Sequence, residues 1–504
     1  MKIFSPAISR LARLRYWRIE HWVKDPIAAQ REVLQDLITH GQYTQIGRKY
    51  QFSTIFNIRK FKALVPIQAY EDLKPYIDEV MQGEPDVLWN TPVAWFAKSS
   101  GTTSDKSKFI PLSNESIEDN HFQGSKDVLS IYYNAFPESD LLTGKMLVIG
   151  GSHQVHPIKD DIQYGDLSAV LLQNSPIWSG LVRVPELAIA LMDEWESKIE
   201  MLAQSTIQEP VTSIAGVPTW TMVLLKRILQ ITGKKTIKEV WPDFELYIHG
   251  GVSFTPYRAE FKKIIGGDCN YLEIYNASEG FFAAQDRLDE EGMLLFLDHG
   301  IFYEFMPVEE SGKENPLTIG LDKVEIGKNY AIVISTNGGL WRYLVGDTVQ
   351  FVTLNPFRIK VSGRLKQYIN AFGEELIADN SDKAISVTCA SLNVVMKEYT
   401  AAPIFMSDKG AGAHEWLIEF ENVPSDMHAF TVELDKNLQS VNSDYEAKRY
   451  KDIALGLPHI TAVKKDCFYE WLKRKGKLGG QHKIPRLSNE RKFLEEVKLI
   501  HLEG

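Results

Sequence analysis

The sequence predicts an α/β protein: a large N-terminal domain of parallel α/β sheets that includes an antiparallel β subdomain, then a small α+β C-terminal domain. Three observations predict it. Between residues 145 and 275 short apolar strand candidates alternate with helical stretches, the pattern of parallel βαβ units. From Gly292 onward strand candidates follow one another with little helix between, punctuated by Pro and Gly, which reads as antiparallel β structure. Near residue 363 the polar stretch Ser362-Gly363-Arg364-Leu365-Lys366-Gln367 lies between two apolar strands and reads as a linker. A chain of 504 residues is too long for one core. The linker divides it into domains 1–362 and 363–504.

Composition excludes several function classes. Apolar content of 44% and charged content of 24% are those of a globular protein. A formal net charge of −10 argues against bulk attraction to nucleic acid or anionic lipid. Cys269, Cys389 and Cys467 are far apart, without metal spacing, which fits a reducing cytoplasm and no disulfide framework. No apolar run is long enough to span a membrane, and no segment advertises a dimer interface, so a monomer away from membranes is expected.

The elements follow in order. Residues 7–40 read as helix, with Asp25 as N-cap and Pro26 opening a second segment. Arg10, Arg13, Arg15 and Arg18 punctuate Ile8, Leu11, Leu14 and Trp17. That pattern suits either a helix docked on the protein body or a basic amphipathic helix for a membrane surface or transit. Gly41 stands where a helix stops. Residues 53–82 read as a loop-helix region cut by Pro66 and Pro75. Trp89 to Ala97 reads as a strand, Asn114 to Ala135 as helix, and Lys145 to Gly150 as a buried strand. Helices are expected over 185–202, 220–231 and 257–265, and strands over 214–217, 244–248 and 272–275. Strand candidates then cover 293–297, 302–306, 330–335, 341–344 and 348–353. In the C-terminal domain helices are expected over 379–397 and 427–438, with another from Tyr445, and a strand over 415–420. The tail after Pro485 is charged and reads as helix.

The stretch richest in chemistry is Ser99-Ser100-Gly101-Thr102-Thr103-Ser104-Asp105-Lys106-Ser107-Lys108. Small side chains let backbone N–H groups come close to a ligand, hydroxyls donate further hydrogen bonds, and lysines add positive charge. Such a loop suits polyphosphate, although the same composition also makes an ordinary solvated loop. It is not a Walker loop, since no Gly-Lys-Ser/Thr ends it.

The order Ser-Ser-Gly-Thr-Thr resembles the phosphate-binding motif of the adenylate-forming superfamily, and most closely that of the auxin-responsive acyl-acid amido synthetases. Two further motifs support the resemblance. Tyr275-Asn276-Ala277-Ser278-Glu279 resembles Tyr-x-x-Ser-Glu, and Trp341-Arg342-Tyr343-Leu344-Val345-Gly346-Asp347 resembles the Tyr-Arg-x-Gly-Asp region. All three lie in family order across nearly the whole chain.

The resemblance implies an enzyme that uses ATP and Mg2+. Ser99, Ser100, Thr102, Thr103 and Lys108 would line the β- and γ-phosphates, with Gly101 allowing close backbone approach. Asp105 departs from the usual glycine, so it is expected to face solvent or Lys106. Glu279 would hold magnesium and Ser278 would sit near the α-phosphate. Tyr275 would stack on adenine or pack beside it, its plainer reading being a core aromatic. Gly250 and Gly251 would leave room for the adenine ring. Asp347, an acceptor-only group when ionised, would take the ribose hydroxyls, the alternative being a turn carboxylate that caps its own backbone. Arg364 belongs to a Gly-Arg-x-x-Lys segment like the superfamily's hinge into a mobile small domain, and is counted with the ATP contacts. Lys483, in Gly479-Gly480-Gln481-His482-Lys483-Ile484-Pro485-Arg486, resembles a Lys-x-Pro-Arg segment and would be delivered by domain rotation. Its alternative is a solvated basic tail.

The expected activity is an ATP-dependent ligase. It would adenylate a small carboxylic acid and pass the acyl group to an amino acid or related amine. An acyl-CoA ligase and a non-catalytic nucleotide-binding protein are the alternatives. The Pro-Lys-Thr-x-x-Gly-Lys signature of acyl-CoA ligases is missing, which favours amide formation. Aromatic residues near 164–178 and 214–222 suit an aromatic or alicyclic acid without naming one.

Overall fold

The computed structural model describes residues 5–503 except 100–107, 151–154, 160, 177–178, 193–194, 252–253, 366–367, 370, 373, 375, 406–411, 450–454, 477 and 479–483. The chain forms two compact units. The first comprises Met1–Val252, Glu260–Val345 and Val349–Lys360, the second Ser253–Ala259, Gly346–Thr348 and Val361–Gly504.

Helices Ser5–Lys24 and Pro26–Gly41 open the first unit. Between them the Asp25 carboxylate accepts the Ala28 N–H at 3.1 Å, and Pro26 takes the first helical position, where its missing N–H costs nothing. The first helix docks on the body. Ile19 and Trp22 are buried, and Arg15 donates to the buried Asp127 carboxylate of helix Gln123–Ala135. Leu14 and Trp17 stay on its exposed side.

The strands in chain order are β1 (Trp95–Ser99), β2 (Lys108–Leu112), β3 (Lys145–Val148), β4 (His156–Lys159), β5 (Ile162–Gly165), β6 (Arg183–Val184), β7 (Val211–Ala215), β8 (Leu246–Gly250), β9 (Asn270–Ala277), β10 (Gly280–Ala284), β11 (Met293–Leu295), β12 (Ile301–Pro307), β13 (Asn329–Thr336), β14 (Tyr343–Leu354), β15 (Phe357–Arg364), β16 (Tyr368–Ile369), β17 (Leu376–Ile377), β18 (Met396–Ile404), β19 (Ala413–Phe420) and β20 (His459–Val463). An eleven-stranded sheet runs β12-β13-β14-β15-β11-β10-β9-β8-β7-β3-β6. From β9 to β6 every neighbouring pair is parallel. From β10 outward the determined pairs are antiparallel, as in β9–β10, β10–β11, β11–β15 and β12–β13. The expected antiparallel strands therefore extend the parallel ones into one continuous sheet. A second sheet, β2-β1-β5-β4, carries the segments on either side of the serine-threonine loop.

In the second unit β18, β19 and β20 form a three-stranded sheet, antiparallel then parallel. Along β19, Trp416, Ile418 and Phe420 pack with Ile385, Phe430, Leu434 and Leu438. Leu417 points the other way, towards Phe468, Trp471, Leu494 and Val497. Helices thus cover both faces, which explains why every residue of β19 is buried.

Some elements differ from expectation for identifiable reasons. Gly41 is the last residue of its helix, but its smallness serves packing. A Cβ there would lie 2.5 Å from the Trp341 ring. Pro75 lies inside helix Tyr70–Met81 instead of cutting it. Residues 185–202 divide into helices Leu187–Ala190 and Trp195–Thr206. The stretch 114–135 begins as a π-helix, Ser116–Phe122, before helix Gln123–Ala135. The expected helix 379–397 stops at Ser391: Asn393, at φ +53°, turns the chain, and β18 starts at Met396.

Among the described residues no helix is long and apolar enough to cross a membrane. Gly41→Ala should destabilise the first unit by about 1–3 kcal/mol through overpacking against Trp341, read as a lowered urea midpoint with an unchanged slope.

Candidate active site

The serine-threonine loop is closed by strand pairing. β1 and β2 are antiparallel, and Ser99 lies directly opposite Lys108. This register brings Ser99 and Lys108, the described residues on either side of 100–107, together. Ser100, Gly101, Thr102 and Thr103 lie outside the described residues, as does Asp105. At the base, the Lys108 ammonium stands 5.5 Å from the Tyr70 ring centroid, within cation–π reach. The Tyr70 hydroxyl accepts the Phe109 N–H at 2.9 Å. Lys98 lies 5.8 Å from the Tyr164 ring centroid. Two cations at this end of the strand pair are thus steadied by aromatic faces.

The other candidate residues of the first unit gather at the carboxyl ends of the parallel strands, where ligands of such sheets sit. Gly250 ends β8 and is paired in parallel with Ile274 of β9. A Cβ on Gly250 would come within 2.4 Å of the Ile274 carbonyl oxygen, so glycine there is demanded by the sheet itself. Gly251 follows with φ +86°, a left-handed conformation that glycine adopts without strain. Tyr275 is buried, its ring centroid 4.7 Å from that of Phe282. It has the packed environment of a core aromatic.

Ser278 and Glu279 form the two-residue turn between β9 and β10, flanked by the cross-strand pair Ala277 and Gly280. Ser278 is buried and Glu279 half-buried. The next pair down, Asn276 with Phe281, is gripped from outside the sheet by the π-helix. The Asn120 side chain accepts the Phe281 N–H at 2.7 Å and donates to the Phe281 and His299 carbonyls at 3.4 and 3.0 Å. His121 lies 3.2 Å through Nδ1 from the Asn276 Oδ1, which can only accept, so Nδ1 carries the proton. Burial pushes the His121 pKa down to about 4 against the smaller opposing effect of that hydrogen bond, so the ring is neutral at pH 7.

The donor set decides what metal this turn would suit. Among the described residues no group of three or more His, Cys, Asp or Glu is placed to hold a metal ion. An all-protein cage for zinc or calcium is therefore not formed by them. A single turn carboxylate fits magnesium, which keeps several waters and takes one or two carboxylates plus phosphate oxygens.

In the second unit the structure joins two residues that the sequence singles out separately. Asp347 of β14 and Arg364 at the end of β15 form an ion pair, Arg364 Nε to Asp347 Oδ1 at 2.9 Å. The expected linker around Gly363 is the end of β15, with Gly363 at φ +152°. Lys483 lies outside the described residues. Three positions further on, Arg486 is fully engaged. It donates to Asp382 at 2.9 Å and to the Tyr257 hydroxyl at 3.2 Å, lies 3.4 Å from Glu398, and stacks 4.6 Å from the Tyr399 ring centroid. Burial raises the pKa of Asp382 and Glu398, and the guanidinium opposes that shift in both.

Three family models match the chain in order: the GH3 family N-terminal domain over residues 15–269, the central domain over 294–364 and the C-terminal domain over 379–492. The chain belongs to the GH3 family. The indole-3-acetic acid-amido synthetase GH3.3 of Arabidopsis thaliana is 22% identical over 563 residues, covering 96% of this chain and 92% of that protein. The 4-substituted benzoates-glutamate ligase GH3.12 of the same plant is 22% identical over 553 residues, covering 93% and 94%. Among solved structures, GH3.15 acyl acid amido synthetase shares the fold with a TM-score of 0.78 at 19% identity over 95% of each chain. The 2-hydroxyisobutyryl-CoA ligase in its postadenylation state shares it with a TM-score of 0.59 at 12% identity, covering 94% of this chain and 92% of that one.

Within this GH3 chain the third motif also contains a structural anchor that sequence reasoning missed. Arg342, at φ +44°, is buried and grips Glu304 of β12 with two hydrogen bonds of 2.8 and 2.9 Å. It also donates to the Val65 carbonyl at 2.6 Å and to the Thr318 hydroxyl at 3.0 Å. The Gln68 side chain donates to the Trp341 carbonyl at 2.7 Å. The segment leading to Asp347 is thereby tied to residues more than 270 positions earlier in the chain. Asn120 and His121 were missed as well. In the sequence they stand among other polar residues, Glu118, Asp119 and Gln123, so nothing local singles them out.

Two outcomes follow from this geometry. Arg342→Ala should cost less than the roughly 3–5 kcal/mol of a fully orphaned buried charge, because Glu304 loses its two-bond partner but keeps Lys62 at 3.3 Å and the Thr318 hydroxyl at 2.5 Å, read by denaturant unfolding. For His121 the unfolded pKa is higher than the folded one, so the unfolded state binds the proton first as pH falls. Stability from keeping the ring neutral is complete above pH 6.5 and lost progressively towards pH 4, to a total of about 3 kcal/mol. His121→Gln should therefore flatten the stability–pH slope in that window by up to one proton.

Proposed function

We propose that this chain is an ATP-dependent acyl-acid amido synthetase. A carboxylate oxygen of a small organic acid attacks the α-phosphorus of ATP and pyrophosphate leaves. The nitrogen of an amino acid or related amine then attacks the acyl carbonyl, and AMP leaves. Both partners of the first step are anions, so the site must neutralise charge and hold them in line. The observation that carries the reading is the turn Ser278-Glu279 at the carboxyl edge of the parallel sheet, next to the Gly250-bearing end of β8, in a chain of GH3 domain order.

In this reading Ser99, Ser100, Gly101, Thr102, Thr103 and Lys108 hold the β- and γ-phosphates. Support comes from the Ser99–Lys108 pairing, which brings a hydroxyl and a cation together at the loop base. Glu279 is the protein ligand of magnesium, which supplies charge neutralisation on the phosphates. Ser278 lies beside the α-phosphate, Tyr275 beside the adenine, and Gly250 and Gly251 leave the ring its space. Asp347 takes the ribose hydroxyls with Arg364 orienting its carboxylate, an arrangement supported by their 2.9 Å contact. Lys483 enters from the small domain, 363–504, when that domain rotates against the adenylating domain, 1–362. The buried Arg486 would hold the segment next to it. The protein acts as a cytoplasmic monomer, independent of nucleic acid and membrane. The amido synthetase names of its relatives and the missing acyl-CoA ligase signature favour an amine over CoA as acceptor.

The deciding experiment incubates the protein with ATP, magnesium and a library of carboxylic acids, alone or with amino acids or CoA, and reads products by mass. Acyl-AMP and then amide are expected; a thioester in the CoA arm with no amide would assign the other acceptor. With an acid so identified, Lys108→Ala and Glu279→Ala should each slow ATP–pyrophosphate exchange by about 10²-fold or more. Rates near wild type in both would remove these residues from the site.

A further inference from the structure

The strand β10 is left without a neighbour where the candidate metal ligand needs support. Its partner β11 pairs with it at Ala283 and Ala284, and the Phe296 N–H just beyond β11 donates to the Phe282 carbonyl at 2.8 Å, where that ladder stops. Nearer the turn, at Phe281, the outward backbone N–H and carbonyl find the Asn120 side chain instead. An asparagine amide has the donor and acceptor of a peptide group, so Asn120 stands in for the missing strand. Its third bond, to the His299 carbonyl at 3.0 Å, ties the same amide to the segment before β12.

Several contacts make this grip close. A Cβ on Gly124 would lie 2.6 Å from the Phe281 ring, and one on Gly280 would lie 2.4 Å from Ile301 and 3.3 Å from Asn120 Oδ1. Glycine at both positions lets the helix, the hairpin and β12 meet. His299 is buried and lies 2.9 Å from the Asp127 carboxylate, which also binds Arg15 of the first helix. The residue next to Asn120, His121, holds the Asn276 side chain on the opposite strand. Both strands of the hairpin are therefore held one pair below Ser278-Glu279, by consecutive residues of a π-helix. Such helices are rare and recur at functional sites.

We infer that Asn120 is a positioning residue for the magnesium ligand: its amide fixes the β9–β10 hairpin so that Glu279 meets the metal of bound MgATP at the geometry its binding requires. This rests on the assignment of Glu279 to magnesium made above. Magnesium tolerates little departure from octahedral geometry, so a loosened turn should weaken the coupling between metal and nucleotide. Glu279 itself stays intact in such a variant.

A matched control exists elsewhere in the first unit. The buried Gln30 amide makes three bonds of the same kind, donating to the Leu297 and Ile301 carbonyls and accepting the Tyr303 N–H, each at 2.8 Å. Asn120→Ala and Gln30→Ala both remove a three-bond amide from the core, but only the first touches the Glu279 hairpin.

The test uses the full chain and the non-hydrolysable α,β-methylene analogue of ATP, so no acid substrate is needed. The ratio of analogue dissociation constants without and with saturating magnesium is measured by calorimetry for wild type, Asn120→Ala, Gln30→Ala and Glu279→Gln. Amide hydrogen exchange over 276–282 is followed in the absence of nucleotide and metal. Asn120→Ala should speed exchange over 276–282 and lower the magnesium ratio by about fivefold or more, the lower end of ordinary site–site coupling. Glu279→Gln should lower the ratio at least as far. Gln30→Ala should speed exchange over 297–303 and leave the ratio as in wild type. A wild-type ratio in Asn120→Ala beside a lowered one in Glu279→Gln overturns this inference alone. An equal fall in Gln30→Ala overturns it too, by showing that any core loss has that effect. A wild-type ratio in Glu279→Gln overturns the metal assignment and the inference with it.

Discussion

Parallel pairing of β8 with β9 is the constraint on which the proposed chemistry depends. It sets Gly250 against Ile274 with no room for a side chain between backbone and backbone. From that register the carboxyl end of β8 and the turn closing β9 emerge at the same edge. The turn is as short as an antiparallel hairpin allows, so Ser278 and Glu279 cannot wander from the strand ends. A carboxylate needs such restraint to act as a single protein ligand, since no second carboxylate on the same turn would correct its position.

The rest of the first unit reads as support for that edge and for the loop beside it. The π-helix and helix Gln123–Ala135 back the hairpin, and the first helix backs them in turn through Arg15 and Asp127. The buried Arg342–Glu304 pair holds the chain just before β14, so the strand that carries the end of the third motif starts from a fixed point. At Arg342 and Asn120 the cost of burying polar groups is offset by several hydrogen bonds each.

Much of this was legible in the sequence, for physical reasons that can be named. Alternating strands and helices and the Asp25-Pro26 cap rest on local chemistry, and the folded chain has them. The three motifs were legible as ordered strings, and Glu279 stands in the turn directly after a strand as expected, whereas Asp347, expected between two short strands, lies inside the single strand β14. What stayed hidden depends on distant pairing. Nothing local marks Lys108-Phe109-Ile110-Pro111-Leu112 as the antiparallel partner of β1, or joins the antiparallel strands to the parallel ones in one sheet. Asn120 and His121 looked like ordinary helical polar residues, because their partners lie more than 150 positions away. At Gly41 a local rule located the helix end, which the folded chain has, while the Trp341 ring that leaves no room for a side chain there stayed hidden.

The most direct test is a crystal structure of the chain with magnesium and a non-hydrolysable ATP analogue. The account predicts phosphates between the Ser99–Lys108 strand ends and the turn Ser278-Glu279, a magnesium ion bound by a Glu279 oxygen, and adenine beside Gly250 and Gly251. Nucleotide bound elsewhere, or a metal coordinated without Glu279, would contradict it.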